Sequence, residues 1–152
     1  MREIGMHKIF GNKYDVTYVD RKGAYIIPSN NGKIGVVQTT KGFFFLGGGI
    51  NENETDFECI QRECIEEVGY TAIVKDFICS AETYTEHPEI GYFHPIQNYY
   101  IGEIKNQVQE PVDADHKLVW LSYEELKGNM FPKMQNWALD QYHKLEERFT
   151  RN

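Results

Sequence analysis

Long apolar runs are missing from this chain: no stretch approaches the roughly 18 apolar residues that a membrane-spanning helix needs, so a helical membrane span is excluded. Cysteine is scarce and unpaired in pattern. Cys59, Cys64 and Cys79 make an odd number with neither CxxC nor Cys/His spacing, which argues against a disulfide framework and against a zinc site, and predicts three reduced, small core residues. Basic clusters are also absent, and the formal net charge of −7 repels polyanions, so a nucleic-acid polymer is not an expected partner. Internal repeats, low-complexity tracts and linker-like segments do not occur. The first residues, Met1-Arg2-Glu3-Ile4-Gly5, carry neither an apolar segment nor a small-residue cleavage site, so a cytoplasmic protein is expected.

What is present suits one folded domain over residues 1–152. Hydrophobic residues make up 41% and charged residues 26% of the 152, a balance and a length that can bury a core without disulfides or structural metal. Strands are predicted over residues 18–28 and 33–39, joined by Ser29-Asn30-Asn31-Gly32, whose Asn-Gly pair suits a tight hairpin turn. A turn at Thr40-Lys41-Gly42 leads into the apolar strand Phe43-Phe44-Phe45-Leu46, and Gly47-Gly48-Gly49 is expected to open a loop. Thr55 with Glu58 three residues on makes a capping box, and Phe57, Ile60, Cys64 and Val68 recur at helical spacing, with Gly69 placed for a C-terminal cap. Extended segments follow over residues 70–81, 92–104 and 118–121, with a polar, acidic loop over residues 107–116, and Ser122 to Leu126 reads as a short helical turn. The last helix opens near Pro132 and lines up Phe131, Met134, Trp137, Ala138, Tyr142 and Leu145 on its packing side. Strands therefore outnumber helices, and a mixed sheet between a mid-chain and a C-terminal helix is the expected architecture.

The mid-chain helix carries Glu63, Glu66 and Glu67 at i, i+3 and i+4, which places three carboxylates on neighbouring surface away from the apolar side. Three anions this close repel one another unless a cation compensates them, and a hard divalent ion with oxygen ligands is the natural partner. A solvated acidic face is the bland alternative for a glutamate-rich helix.

The wider pattern decides between the two. Gly48, five residues, Glu54, seven residues, then Arg62-Glu63-Cys64-Ile65-Glu66-Glu67-Val68-Gly69-Tyr70 resembles the Nudix box, with all seven of its fixed letters present between Gly48 and Tyr70. At average residue usage such a match arises by chance at a given start roughly once in 10⁸ to 10⁹. Leu46 stands where a proline is usual, Cys64 and Tyr70 replace aliphatic residues, and Asn51 and Asn53 replace a frequent Glu and Gly; none of these removes a carboxylate from the fixed letters of the box.

The resemblance implies an α+β fold, an α/β/α sandwich with a mixed sheet between the box helix and the C-terminal helix. It implies a hydrolase that cleaves a diphosphate linkage in a nucleoside diphosphate linked to another moiety, by attack of a metal-activated water. Glu63, Glu66 and Glu67, with the backbone carbonyl of Gly47, would hold Mg²⁺, with Mn²⁺ as a substitute; Glu63 would alternatively orient the water. Arg62 would hold a glutamate in place and Glu54 would hold Arg62.

The general base is open between Glu63 and an acidic residue of the loop Glu110-Pro111-Val112-Asp113-Ala114-Asp115-His116, Asp115 foremost, then Asp113 and Glu110, with His116 as a further candidate. Lys41, Tyr84 and Gln97 are candidates for holding the substrate, and Arg21 and Lys33 are further cations able to meet a phosphate. A non-catalytic nucleotide sensor on the same fold is the competing reading, and Nudix proteins are often dimers, so a homodimer is compatible with the resemblance.

Overall fold

Neighbouring residues with opposite fates explain how the chain is layered. In the computed structural model, which describes residues 6–150 and so leaves the start at residues 1–5 outside the described residues, Ile26 enters one buried cluster and Ile27 another. Val37 and Val36, and Leu46 and Phe45, divide in the same way. Side chains alternate across a strand, so the two clusters lie on opposite faces of sheet structure. One face is covered by α1 (Asp56–Val68) through Cys59, Ile60, Cys64 and Val68; the other is covered by α2 (Tyr123–Leu126) and α3 (Lys133–Thr150) through Leu126, Met134, Ala138, Leu139 and Tyr142. This is the expected α+β sandwich. Each fully buried large aliphatic side chain, such as Ile60 or Leu139, contributes about 1.5–3 kcal/mol relative to exposure.

The strands in chain order are β1 (Met6–Phe10), β2 (Val19–Asn30), β3 (Lys33–Thr39), β4 (Gly42–Phe44), β5 (Leu46–Gly49), β6 (Tyr70–Thr83), β7 (Thr85–His87), β8 (Gly91–Gln107) and β9 (Lys117–Leu121). The path β1-β6-β8-β2-β3-β4 is extended by β5 on β2, β7 on β8 and β9 on β3. The β1/β6 and β2/β8 pairs are parallel and the remaining pairs antiparallel, so the sheet is mixed. Strands β2 and β3 pair only at Ser29↔Ile34 and Asn30↔Lys33, next to their hairpin. Strands β3, β4 and β9 consequently form a second leaf that diverges from the leaf holding β2, β5, β6 and β8. Asn31 at φ 54° and Gly32 at φ 79° make the hairpin turn, both left-handed as the Asn-Gly pair anticipates.

Thr55 and Glu58 form the capping box, and Gly69 closes α1 at φ 80°. The three cysteines are free and buried. Four features differ from the sequence reading. Gly47, Gly48 and Gly49 are strand rather than loop, paired with Tyr25, Ala24 and Gly23. Their lack of side chains permits this approach, because a Cβ on Gly47 would sit 2.2 Å from the Ala24 carbonyl oxygen. Phe57 is 51% exposed and meets Tyr100 edge-on at 5.4 Å, while Cys59 takes the buried position in the first turn of α1. Phe131, at 57% exposure, precedes α3; its N–H donates to the Phe43 carbonyl and its ring lies on Phe44, so it belongs to the β4 edge rather than to the helix face. Strands β1 and β7 were not anticipated, and both are short segments that exist by pairing with β6 and β8.

Candidate active site

The box helix begins beside the glycine strand, and this places the chemistry. Arg62 is the hub: Nε donates to Glu54 Oε2 at 2.7 Å, Nη2 donates to Glu54 Oε1 and to the Gly49 carbonyl at 2.9 Å each, and Nη1 donates to Glu63 Oε2 at 3.3 Å. The same Nη1 lies 3.6 Å from Glu66 Oε1. Paired, charge-assisted bonds of this kind fix side-chain direction as well as adding energy. The Arg62 bonds hold the Glu54 carboxyl down at about 2, helped by the Asn51 N–H. Cys59 Sγ donates to the Gly48 carbonyl at 3.3 Å, fastening the helix to β5 from a second point.

The three helix carboxylates have different surroundings. Glu63 lies against Gly48, where a Cβ would come within 2.2 Å of its Oε2, and burial raises its pKa against the opposing pull of Arg62. Glu66 is half exposed. Glu67 is half-buried and accepts from the Gly47 N–H at 3.0 Å; desolvation first, then Glu63 and Glu66, push its pKa up to about 8. Among the described residues no three His, Cys, Asp or Glu side chains are gathered tightly enough to form a ready-made metal centre. The donor chemistry nevertheless fits a hard divalent cation: carboxylate oxygens on one helix face, with a half-buried Glu67 beside the like charges of Glu63 and Glu66 and bonded to the Gly47 N–H.

A cleft of about 370 Å³ opens between the two leaves, lined by Gly47, Glu67 and Tyr25 on one side and by Val37, Thr39, Thr40, Lys41 and Phe44 on the other, with Phe45 at its base. The loop before β9 closes one end with Asp113, Asp115 and His116. Asp115 Oδ2 accepts from the Thr40 N–H at 3.3 Å and from its hydroxyl at 3.4 Å, and Asp113 Oδ1 accepts from the Asp115 N–H at 2.9 Å, so this loop is anchored to the β3–β4 turn. His116 has its Nδ1 buried and without a hydrogen-bond partner among the described residues, and its Nε2 lies 3.6 Å from Asp113.

Of the residues singled out in the sequence, the cleft gathers Gly47, Glu67, Lys41, Asp113, Asp115 and His116. Arg62, Glu63 and Glu66 lie together beside it, on the helix flank that carries Glu67. Tyr84 and Gln97 are not on it. The Tyr84 ring stacks on His94 at 4.1 Å, in a corner where His94 also bonds Asp20 and Glu82. Gln97 Oε1 accepts from the Tyr99 hydroxyl at 2.5 Å and from Gln135 Nε2 at 3.2 Å, and its Nε2 donates to the Tyr25 hydroxyl at 3.4 Å. Sequence reasoning missed Tyr25, Thr40 and Asp56. Asp56 anchors the start of α1 to β8 by accepting from the Tyr100 hydroxyl at 2.6 Å and from Asn98 at 3.0 Å; its place in the first helical turn was the only available signal.

A mixed sheet between helices, with a capped helix presenting an Arg62-centred glutamate network to a glycine strand, defines a recognisable class of protein. The model of the NUDIX domain family matches residues 19–145, and the chain belongs to that family. No curated protein matches it. Among solved structures, the Escherichia coli ORF135 protein is similar at 21% identity and a TM-score of 0.66, over 85% of this chain and 92% of that one. A NUDIX hydrolase from Nitrosomonas europaea is similar at 12% identity and a TM-score of 0.69, over 83% and 90%. A MutT NUDIX hydrolase from Burkholderia pseudomallei is similar at 18% identity and a TM-score of 0.67, over 81% and 98%. At these identities the likeness is one of fold.

Proposed function

We propose that this chain hydrolyses the diphosphate linkage of a nucleoside diphosphate joined to another moiety, acting as one Nudix domain. The observation that carries the reading is the Arg62 network, which joins Glu54, Glu63, Glu66 and the Gly49 carbonyl, about one helical turn from a half-buried Glu67 on the cleft wall. A generic solvated helix face has no need of such a costly concentration of charge around one guanidinium.

Glu66, Glu67, Glu63 and the Gly47 carbonyl are the groups that would hold Mg²⁺ or Mn²⁺. A divalent cation there supplies the positive charge that lets an acidic helix accept a diphosphate, and acidifies the attacking water. The protein's own side chains do the rest. Arg62 and Glu54 hold the carboxylates in register, Lys41 faces the cleft where it can meet a phosphate, and Asp115, held at the cleft end by Thr40, or Glu63 takes the proton from water. Cytoplasmic location and a homodimer belong to the same reading; among the described residues no helix is long and apolar enough to cross a membrane.

The test is a panel of nucleoside di- and triphosphates, nucleotide sugars and dinucleotides, assayed with Mg²⁺ for release of phosphate or monophosphate. Turnover that EDTA abolishes supports the reading. If the wild type turns over none while binding some of them, the protein is a nucleotide sensor on this fold.

A further inference from the structure

Tyr25 stands in the cleft wall with open space on two sides: it lines the cleft of about 370 Å³ and also a second cavity of about 170 Å³, to which Arg21, Gly49, Phe93 and Gln97 contribute. A side chain that served packing alone would sit among close neighbours, because protein interiors leave few voids. This ring is held by its edges instead. Tyr25 pairs with Gly47 across β2 and β5, and a Cβ built on Gly47 would fall 2.7 Å from Tyr25 Cδ2. A Cβ built on Gly23, two residues back on the same strand face, would fall 3.1 Å from Tyr25 Cε1. Opposite corners of one ring therefore occupy the space that side chains at Gly47 and Gly23 would need.

The hydroxyl end is tied to the far side of the sheet. It accepts from Gln97 Nε2 at 3.4 Å, and Gln97 Oε1 accepts from the hydroxyl of the buried Tyr99 at 2.5 Å and from Nε2 of the buried α3 residue Gln135 at 3.2 Å. The Tyr25 and Tyr99 rings also pack together, with centroids 5.9 Å apart. Toward the cleft, Gly47 is itself buried and donates its N–H to Glu67 at 3.0 Å. Desolvation first, then the charges of Glu67 and Glu63, raise the Tyr25 pKa, so the phenol is neutral and lies within reach of both carboxylates. One line of contacts thus runs from Gln135 on α3 through Gln97 and Tyr25 to Gly47, and ends on the Glu67 carboxylate.

We propose that Tyr25 is a positioning residue of the cleft: its ring, seated on Gly47, fixes the part of β5 whose carbonyl, together with Glu67, would hold the divalent cation. The proposal rests on the hydrolase reading for that cation, while the seat of the ring on Gly47 stands apart from it. Gln97 acts in this arrangement through Tyr25 rather than on a substrate.

The experiment titrates Mn²⁺ alone into the full chain, reads free Mn²⁺ by electron paramagnetic resonance, and follows native-state hydrogen exchange of the Gly47 amide against amides within α1. Tyr25→Leu, which takes the ring off both glycines, weakens Mn²⁺ binding by about ten- to a hundredfold, the range for losing a group that orients a metal ligand, and speeds exchange at Gly47. Tyr25→Phe keeps both seats and loses one long hydrogen bond, so both readouts stay within about threefold of wild type. Leu145→Ala, a truncation on α3 outside this line of contacts, lowers the melting temperature and moves neither readout, which separates positioning from a general loss of stability. Should Tyr25→Leu fail to fold, Tyr25→Met, which restores apolar bulk without a flat ring, takes its place. Wild-type Mn²⁺ affinity with a protected Gly47 amide in Tyr25→Leu or Tyr25→Met overturns the proposal, as does an equal loss of Mn²⁺ in Leu145→Ala. A wild type that binds no Mn²⁺ removes the metal reading instead, and exchange at Gly47 then decides the role of Tyr25 by itself.

Discussion

Replacing Gln135 by Met tests whether one buried amide on α3 holds the strand that leads into the site. Gln135 is 1% exposed; its Oε1 accepts the Phe45 N–H at 2.9 Å and its Nε2 donates to Gln97 Oε1 at 3.2 Å. Phe45 falls at the break between β4 and β5, two residues before Gly47, so this amide supplies the partner that a strand ladder would otherwise provide. Met matches the length of Gln and adapts to its cavity, which keeps packing loss small. What remains is the buried Phe45 N–H without a partner, a cost of about 1–3 kcal/mol. Gln97 Oε1 retains the Tyr99 hydroxyl and adds little to that figure. For a chain of this length the melting temperature should fall by roughly 2–4 °C per kcal/mol, and the urea midpoint should fall with an unchanged m-value. Native-state hydrogen exchange supplies the local readout: the Phe45 amide should exchange faster than its neighbours in the variant. A Gln135→Met protein with the wild-type midpoint and a protected Phe45 amide refutes the argument.

Gly47→Ala should destabilise the fold by about 4 kcal/mol or more, since its φ of 150° and the 2.2 Å approach to the Ala24 carbonyl oxygen leave no room for a methyl; soluble yield and urea midpoint check this. Glu54→Gln should flatten the acid side of the stability profile. The Glu54 carboxyl is held at about 2 against an ordinary 4.5, so its contribution is complete above pH 4.5 and is lost as the pH falls toward 2; urea midpoints across that window should drop less steeply in the variant. Glu66→Gln and Glu67→Gln should each lower kcat by at least roughly a hundredfold with native circular dichroism, and EDTA should abolish the wild-type activity; normal turnover by Glu66→Gln would remove the helix face from the mechanism.

Local chemistry was legible in the order of the residues. The Asn31-Gly32 turn, the Thr55/Glu58 capping box, the Gly69 cap and the buried Ile60, Cys64 and Val68 all follow from rules that act over four residues or fewer. The exposure of Phe57 did not follow, because periodicity finds a stripe but not which of its members the sheet covers, and here Cys59 takes the buried place while Phe57 meets only the Tyr100 ring edge-on. Strand β1 was invisible because five residues become a strand only by pairing with β6, over seventy positions away. The glycine triplet misled for a related reason: glycine marks loops statistically, and here its missing side chains admit β2, Glu63 and Arg21 instead.

Residue order was enough to place the family-defining helix, the neighbouring positions of its carboxylates and arginine, and the two-faced strands, because helical and strand periodicities are properties of the chain alone. Packing settled which groups meet: Asp115 against Thr40, Gln135 against Phe45, Arg21 on Gly49, and a cleft between two diverging leaves. Those meetings join residues far apart in the chain, and pairwise distance in a folded protein is set by the arrangement of all the elements at once, which no short window of sequence encodes.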